Sequence, residues 1–409
     1  MPTLLTDFRI ATRNLWRNTG RTLVAVSTVA GGVVAFLLAG GFINWIFHDM
    51  REGTIHSQLG HIQIVRPGYF DKGIADPYAF LLKENASELS AASAVPGVIS
   101  LTQRLAFSGL ISIGDLTVPF AGEGIDPERE RPISKRITVL EGKALEHGDE
   151  RKAMLGEGLA RSLGAKPGDT IVLLTTAATG GPSAVEVTVA GVFATISKEY
   201  DDTAVRLPIK LARKLMKVGG ATSWVILLDH AERTDEAVSR LKAILPAADF
   251  EVVPWHALAD FYNKTVALFS KQVNVVKVII GLIIVLTISN TLIMSVLERT
   301  TEIGTSLAIG LRQRVVTRMF IVEGGLIGVI GGSLGVGIGY LLAAAISAIG
   351  IPMPPPPGMA HGYIGQIVVT PSLAMDAVVL AMVTTLLASL MPAWKAGRLN
   401  IVDALRYNQ

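Results

Sequence analysis

The sequence contains no cysteine, which removes disulfides, thiolate metal sites and cysteine nucleophiles together. Such a chain is compatible with a bacterial envelope protein whose outer domain is stable without bridges. Charge is also scarce: 17% of the 409 residues are charged against 50% hydrophobic, and the formal net charge is only +3. A balance that small, with no basic stripe interleaved with aromatics, points away from nucleic acid. No G-x-x-x-x-G-K-[ST] loop is present, so the chain does not cradle nucleotide phosphates in that way. The seven histidines (His48, His56, His61, His147, His230, His256 and His361) show no H-E-x-x-H or other tight ligand spacing. G-x-S-x-G does occur at Gly331–Gly335, but inside an apolar run with no histidine to act as base. An intramembrane serine enzyme therefore lacks its parts, and no catalytic residue, metal or bound cofactor is expected.

What the chain does hold is apolar sequence gathered into a few segments, with a mean hydropathy of +0.47. Residues 23–47 carry no charge over 25 positions, roughly 37 Å of helix at about 1.5 Å per residue. That exceeds a hydrocarbon core of about 30 Å, and the run reads as an uncleaved signal anchor. Further spans are expected over 278–297, 320–348 and 373–391. Glu323 and Asp376 lie near span ends, where snorkelling to the interface is the plainer reading and a proton relay the sharper one.

Orientation follows from basic residues in the short connections. Arg9, Arg13, Arg17 and Arg21 precede the first span, Arg299, Arg312, Arg314 and Arg318 separate the second from the third, and Lys395, Arg398 and Arg406 follow the fourth. Residues 349–372 contain no lysine or arginine. Both termini are expected in the cytoplasm of a bacterium, on the inner side of its cytoplasmic membrane. The expected order is a cytoplasmic amphipathic helix over 1–21, spans at 22–47, 273–297, 319–348 and 373–393, an outer domain over 48–272, a cytoplasmic loop over 298–318, an outer proline-rich loop over 349–372, and a tail over 394–409. Arg9, Arg13 and Arg17 recur every four residues beside Leu5, Phe8, Ile10, Leu15 and Trp16, which suits a helix lying on anionic lipid or a plain topology signal.

The outer segment alternates strand-like stretches (61–65, 110–113, 170–174, 185–192, 224–228) with helical ones (86–94, 157–163, 210–217, 234–244), punctuated by Pro-Gly turns. The fold class is therefore an α-helical membrane protein with four transmembrane helices plus a large extracytoplasmic α+β domain, one or two lobes, between the first and second. Residues 256–303 have no proline and one glycine, Gly281, which predicts one helix running from outside the membrane into the cytoplasm, either a coupling rod or a passive stalk. Gly324, Gly328 and Gly332, and separately Gly331, Gly335 and Gly339, give the third span smooth faces for close helix approach, within one subunit or at a dimer seam. The stretch Pro352–Gly358 is stiff and extended, a brace or a connector.

The loop over 298–311 reads ERTTEIGTSLAIGL and resembles the E-R-x-x-E-I-G-x-x-x-A-x-G segment of FtsX-like ABC transporter permeases. The tail over 391–406, MPAWKAGRLNIVDALR, resembles the family's P-A-x-x-A-x-x-x-x-P-x-x-A-L-R ending, with Ile401 in place of its proline. The opening IATRNLWRN at 10–18, Pro167-Gly168-Asp169 and Val189–Phe193 fit the same family, the FtsX-like/MacB-type permeases (type VII ABC fold). The ATPase domain fused in the MacB branch is missing, and the likeness is closer to LolC/LolE-type lipoprotein-release permeases. The resemblance implies a non-catalytic permease that works by mechanotransmission with two copies of a separate ABC ATPase, which carry the ATP and Mg, and with a second permease chain, identical or paralogous. It implies a lipid-linked or amphiphilic substrate such as a lipoprotein, lipid or hydrophobic compound, membrane lipids as neighbours, and room for a periplasmic adaptor or acceptor. By position, Glu298, Arg299, Glu302, Ile303, Gly304, Leu307, Ala308 and Gly310 belong to an ATPase-coupling helix, with Glu302 and Arg299 giving charge contacts and Ile303, Leu307 and Ala308 packing. An alternative is an FtsX-like non-transporting regulator that activates an envelope hydrolase; its small outer domain fits this chain less well.

Overall fold

The structure, a computed structural model, describes residues 4–73, 76–84, 87–355 and 362–398, with side chains from Phe8 onward. The side chain of Leu5, and Ala86, Pro356, Pro357, Gly358, His361 and the tail from Leu399, including Ile401 and Arg406, lie outside that description. In chain order the helices are α1 (Leu4–Arg17), α2 (Thr19–Thr54), α3 (Ser87–Ser93), α4 (Pro127–Glu130), α5 (Glu157–Leu163), α6 (Lys198–Asp201), α7 (Ile209–Met216), α8 (Thr234–Ile244), α9 (Trp255–Leu258), α10 (Asp260–Glu298), α11 (Thr300–Ala308), α12 (Gln313–Ile349) and α13 (Pro371–Gly397). The strands are β1 (Ile62–Val65), β2 (Val98–Ile113), β3 (Leu116–Ile125), β4 (Thr138–Gly142), β5 (Lys152–Gly156), β6 (Thr170–Thr176), β7 (Pro182–Ala194), β8 (Ala204–Pro208), β9 (Ser223–Leu228), β10 (Glu251–Pro254), β11 (Ile351–Met353) and β12 (Tyr363–Gly365).

The chain divides into two units. One comprises Met1–Phe47, Val266–Pro352 and Ile364–Gln409, the other His48–Thr265 and Met353–Tyr363. Among the described residues four helices are long and apolar enough to cross a membrane: α2, α10, α12 and α13. The shortest, α13, has 27 residues, about 40 Å at 1.5 Å per residue, so each outreaches a hydrocarbon core of about 30 Å. The expected fold class is borne out.

Inside the helical unit Val29, Val33 and Leu37 of α2, Ile284 and Ile288 of α10 and Ala381 of α13 share one apolar core. Lipid offers no hydrophobic drive between helices, so contact depends on close packing, which small residues permit. Both glycine runs of α12 are filled from the same chain. A Cβ on Gly324, Gly328 or Gly332 would meet Ser389, Thr385 or Ala381 of α13 at 2.7, 2.3 or 3.3 Å. One on Gly331, Gly335 or Gly339 would meet Val29, Val33 or Leu37 of α2 at 2.7, 2.6 or 2.8 Å.

The second unit is built on a ten-stranded mixed sheet in the order β10-β1-β9-β2-β3-β8-β5-β7-β4, with β6 pairing β2 and β7. The sixteen-residue β2 serves both halves, its start against β9 and its end against β3 and β6. Two apolar cores result. Leu105, Phe107, Ile111, Leu155 and Val205 pack with α5 and α7, whereas Ile62, Ile64, Trp224 and Ile226 pack with α8.

The single helix expected over 256–303 is corrected at both ends. Ala259 leaves helical geometry at φ −90°, ψ 59°, and Arg299 does so at φ −103°, ψ 13°. Trp255 is buried with Ile55, Ile133, Val225 and Leu227, which fixes α9 apart from α10. At the other end the bend at Arg299 turns Ile303 and Leu307 into a core with Val296, Val316 and Phe320. Neither break uses proline or glycine, so composition carried no sign of them.

Candidate coupling site

The site is the end of the helical unit where α1, α10, α11 and α12 meet. α11 is amphipathic and short. Ile303 and Leu307 are buried in the core with Phe320, Ala393 and Ala396, and Gly304 is buried beside them. The opposite face leaves Glu302, Thr305 and Ala308 exposed. Beyond it Ile309 is 83% exposed, an apolar group presented outward at the end of α11. Gly310 adopts φ +103°, and the Gly310 and Leu311 amides donate to the Leu307 and Ser306 carbonyls at 3.0 Å each. That left-handed stop needs glycine and closes the helix before α12 starts.

Two expected contact residues are thereby redirected. Ile303 and Leu307 face their own chain, because the α11 stripe that is apolar at i and i+4 is the one the bundle covers. Arg299 is also turned inward. Its Nη1 lies 3.8 Å from Oε2 of Glu323, and both side chains are under 10% exposed. Glu323 therefore sits buried opposite Arg299, three turns into α12 from its start at Gln313.

Glu298 and Glu302 stay at the surface and are both paired. Arg17 Nη2 donates to both carboxylate oxygens of Glu302, at 3.0 and 2.8 Å. Arg21 donates through both terminal nitrogens to the two oxygens of Glu298. The hydrogen bond from Arg17, with the charges of Arg17 and Arg299, holds the Glu302 carboxyl below its ordinary range. The two pairs bridge four separate elements, Arg17 of α1 to Glu302 of α11 and Arg21 of α2 to Glu298 of α10, so no single helix spacing announced them.

α1 packs through Ala11, Asn14 and Leu15, all buried, with the Asn14 amide 3.9 Å from Met319 Sδ. Leu15 thus belongs to the bundle core, not to a free apolar surface, because the buried stripe repeats at i and i+4 from Ala11. Phe8, Arg9, Ile10, Arg13 and Trp16 remain exposed. Arg398 stacks its guanidinium 4.4 Å over the Trp394 ring at the end of α13.

A second polar centre lies in the other unit. Arg104 is paired with Glu130, and Arg206 Nη2 lies 3.2 Å from Glu123, all on or beside β2, β3 and β8. Tyr200 donates to Glu123 at 2.8 Å and accepts from Arg206 Nε at 3.1 Å. Burial would raise the Glu123 carboxyl, but Arg206 and Arg104 outweigh it and hold it below the usual range, while burial pushes the Tyr200 phenol up. Nothing in the sequence pattern marked this network, whose members are far apart in the chain.

The MacB-like periplasmic core domain family matches residues 22–244, and the FtsX-like permease C-terminal family matches residues 274–401. The chain is 27% identical over 294 residues to an uncharacterised ABC transporter permease of Methanocaldococcus jannaschii, covering 68% of this chain and 69% of that protein. It is 26% identical over 319 residues to the lipoprotein-releasing system transmembrane protein LolC of Xylella fastidiosa, covering 72% of this chain and 74% of that one. The periplasmic region of MacB from Actinobacillus actinomycetemcomitans is similar over 50% of this chain and 93% of that one, at 14% identity and a TM-score of 0.36. The chain is a multi-pass membrane protein that belongs to the FtsX/MacB-type ABC transporter permeases, non-catalytic membrane subunits whose work implies a partner ATPase.

Proposed function

We propose that this permease extracts or exports a lipid-linked or amphiphilic substrate at the outer face of a bacterial cytoplasmic membrane, by mechanotransmission. Two copies of a separate ATPase, which carry the ATP and Mg, seat on the α11 ends of two permease chains, identical or paralogous. The termini and α11 lie in the cytoplasm, and residues 48–272 lie outside, where an adaptor or acceptor finds them. The likeness to a lipoprotein-releasing protein favours lipid-linked cargo among the amphiphiles.

The observation that carries this reading is the two-sided α11. Its inner side is built into the bundle by Ile303 and Leu307, while Glu302, Thr305, Ala308 and Ile309 face outward. A helix docked in a partner's groove needs an outward anchor and an inward attachment, and α11 has both. Glu298 and Gly310 frame it, the first through Arg21 and the second by ending the helix.

The test is affinity purification of the full chain in mild detergent with its partner ATPase. Ile309→Asp combined with Ala308→Arg alters the outward face alone. Association should fall by at least tenfold while membrane insertion and melting stay as in the parent. Undiminished association would remove α11 as the seat. Reporter fusions within 298–318 check the side of the membrane.

A further inference from the structure

Charged side chains of membrane spans are found near span ends, where headgroups and water answer them. Among the described residues two of opposite sign, Lys277 of α10 and Asp376 of α13, line one cavity of about 270 Å³ between α2, α10 and α13. Asn44 of α2 and Asn274 of α10 add neutral hydrogen-bonding groups to its wall. Lys277 Nζ is held 5.7 Å from the centroid of the Phe36 ring. Among the described residues neither Lys277 nor Asp376 makes an ion pair, and Asp376 accepts no hydrogen bond.

Depth follows from helix rise. Lys277 is 21 residues before Glu298, the end of α10, and Asp376 is 19 residues before Lys395. At about 1.5 Å per residue these are roughly 32 and 28 Å, close to one hydrocarbon thickness of about 30 Å. With the Glu298 and Lys395 ends at one membrane surface, both charges stand at the other, at headgroup level. On α13 the residues that follow Asp376 on the same face, Val379, Val383 and Leu387, are all exposed and apolar. Polar charges of both signs therefore cap an uncovered apolar stripe.

We propose that this cavity binds the headgroup of a zwitterionic amino-phospholipid, the phosphate on Lys277 and the primary ammonium on Asp376, with an acyl chain along Val379, Val383 and Leu387. An anionic headgroup with no amine would satisfy Lys277 and leave its charge facing Asp376. A choline headgroup carries the positive charge but has no N–H to donate to the carboxylate. The proposal rests on α10 and α13 being membrane spans and is independent of what the system transports.

Native mass spectrometry of the full chain, from micelles holding equal amounts of phosphatidylethanolamine, phosphatidylcholine and phosphatidylglycerol, reads the preference directly. A charge-assisted hydrogen bond is strong enough for about a tenfold selection. The parent should retain phosphatidylethanolamine about tenfold over phosphatidylglycerol, and Asp376→Asn should erase that margin. Lys277→Gln should lower retention of all three lipids. The Lys277→Asp/Asp376→Lys double variant keeps both charges in the cavity, so it should restore a preference for phosphatidylethanolamine over phosphatidylglycerol that Asp376→Asn erases. Equal retention by the parent, or a preference that survives Asp376→Asn, would overturn the assignment. Co-purification of the ATPase, followed in the same samples, should not change.

Discussion

Arg17 of α1 and Glu302 of α11 are joined by two hydrogen bonds, at 3.0 and 2.8 Å, across 285 residues of sequence. One turn away Arg21 and Glu298 form a second pair in the opposite chain direction. A helix that precedes the first span is thus tied to the segment that follows the second. Each pair is about half exposed, so its contribution to stability is about 0–1 kcal/mol, and its value is positional.

Reversing that tie is the first prediction. Arg17→Glu sets two carboxylates against each other and should reduce ATPase co-purification several-fold, with little change in melting temperature. Glu302→Arg added to the same chain should recover most of the loss. A double variant no better than the single one would show that the two side chains act separately.

Acid sensitivity should come from His61. It is 3% exposed, and its Nδ1 accepts the Leu228 amide at 3.0 Å, which requires the neutral ring. Burial, the largest cause, and the neighbouring His56 lower its pKa to about 4. The unfolded chain, near 6.5, binds the proton more readily, so this contribution is complete above pH 6.5 and is lost as pH falls toward 4. Its size is of the order of 3 kcal/mol. His61→Asn keeps an acceptor near Nδ1 and removes the titration. Thermal unfolding of the full chain between pH 4 and 7 should show a shallower acid limb for the variant. A limb of equal slope would assign the sensitivity to other groups.

The four spans, the glycine spacing and the α11 segment were readable because a long apolar run or a repeat of three or four residues has few structural solutions. β3, β4, β5, β8 and β10 of the large sheet escaped notice for the opposite reason. β4 is exposed along its length and has no alternation, and β8 carries a buried arginine, Arg206, where pattern expects an apolar residue. The direction of α11 was also hidden. Sequence shows that Ile303 and Leu307 share a face, but only packing against Val316 and Phe320 decides that this face is inward and that Ile309 is the group left outside. The burial of Glu323 was hidden because its partner, Arg299, lies at another helix boundary.

The buried network around Arg206 should be far less tolerant than the surface pairs. Its guanidinium donates to the Ser57 carbonyl at 2.9 Å, to Tyr200 at 3.1 Å and to Ser134 at 3.2 Å, beside Glu123. Arg206→Met leaves Glu123 without its nearest charge and should cost about 3–5 kcal/mol. Arg206→Lys should rescue little, because one ammonium cannot span the same partners. Chemical denaturation monitored by tryptophan fluorescence separates the two, and a lysine variant as stable as the parent would contradict the fork geometry.

Gly335 and Gly337 make the last test, since they differ by two positions on one helix. A Cβ at Gly335 would sit 2.6 Å from Val33 Cβ and 2.8 Å from the Ala30 carbonyl oxygen, both on α2, whereas one at Gly337 would meet nothing within 4 Å. Backbone and a stiff β-branched side chain cannot yield by the distance required, so Gly335→Val must push α2 and α12 apart. The expected loss is about 1–3 kcal/mol, as for other overpacked cores. Gly337→Ala removes backbone freedom from the unfolded chain without a clash and should be neutral or stabilising by under about 1 kcal/mol. Melting of the purified chain in detergent compares them directly. Similar behaviour of both variants would mean that α12 does not meet α2 along Gly331, Gly335 and Gly339, and the glycine spacing would then need another partner.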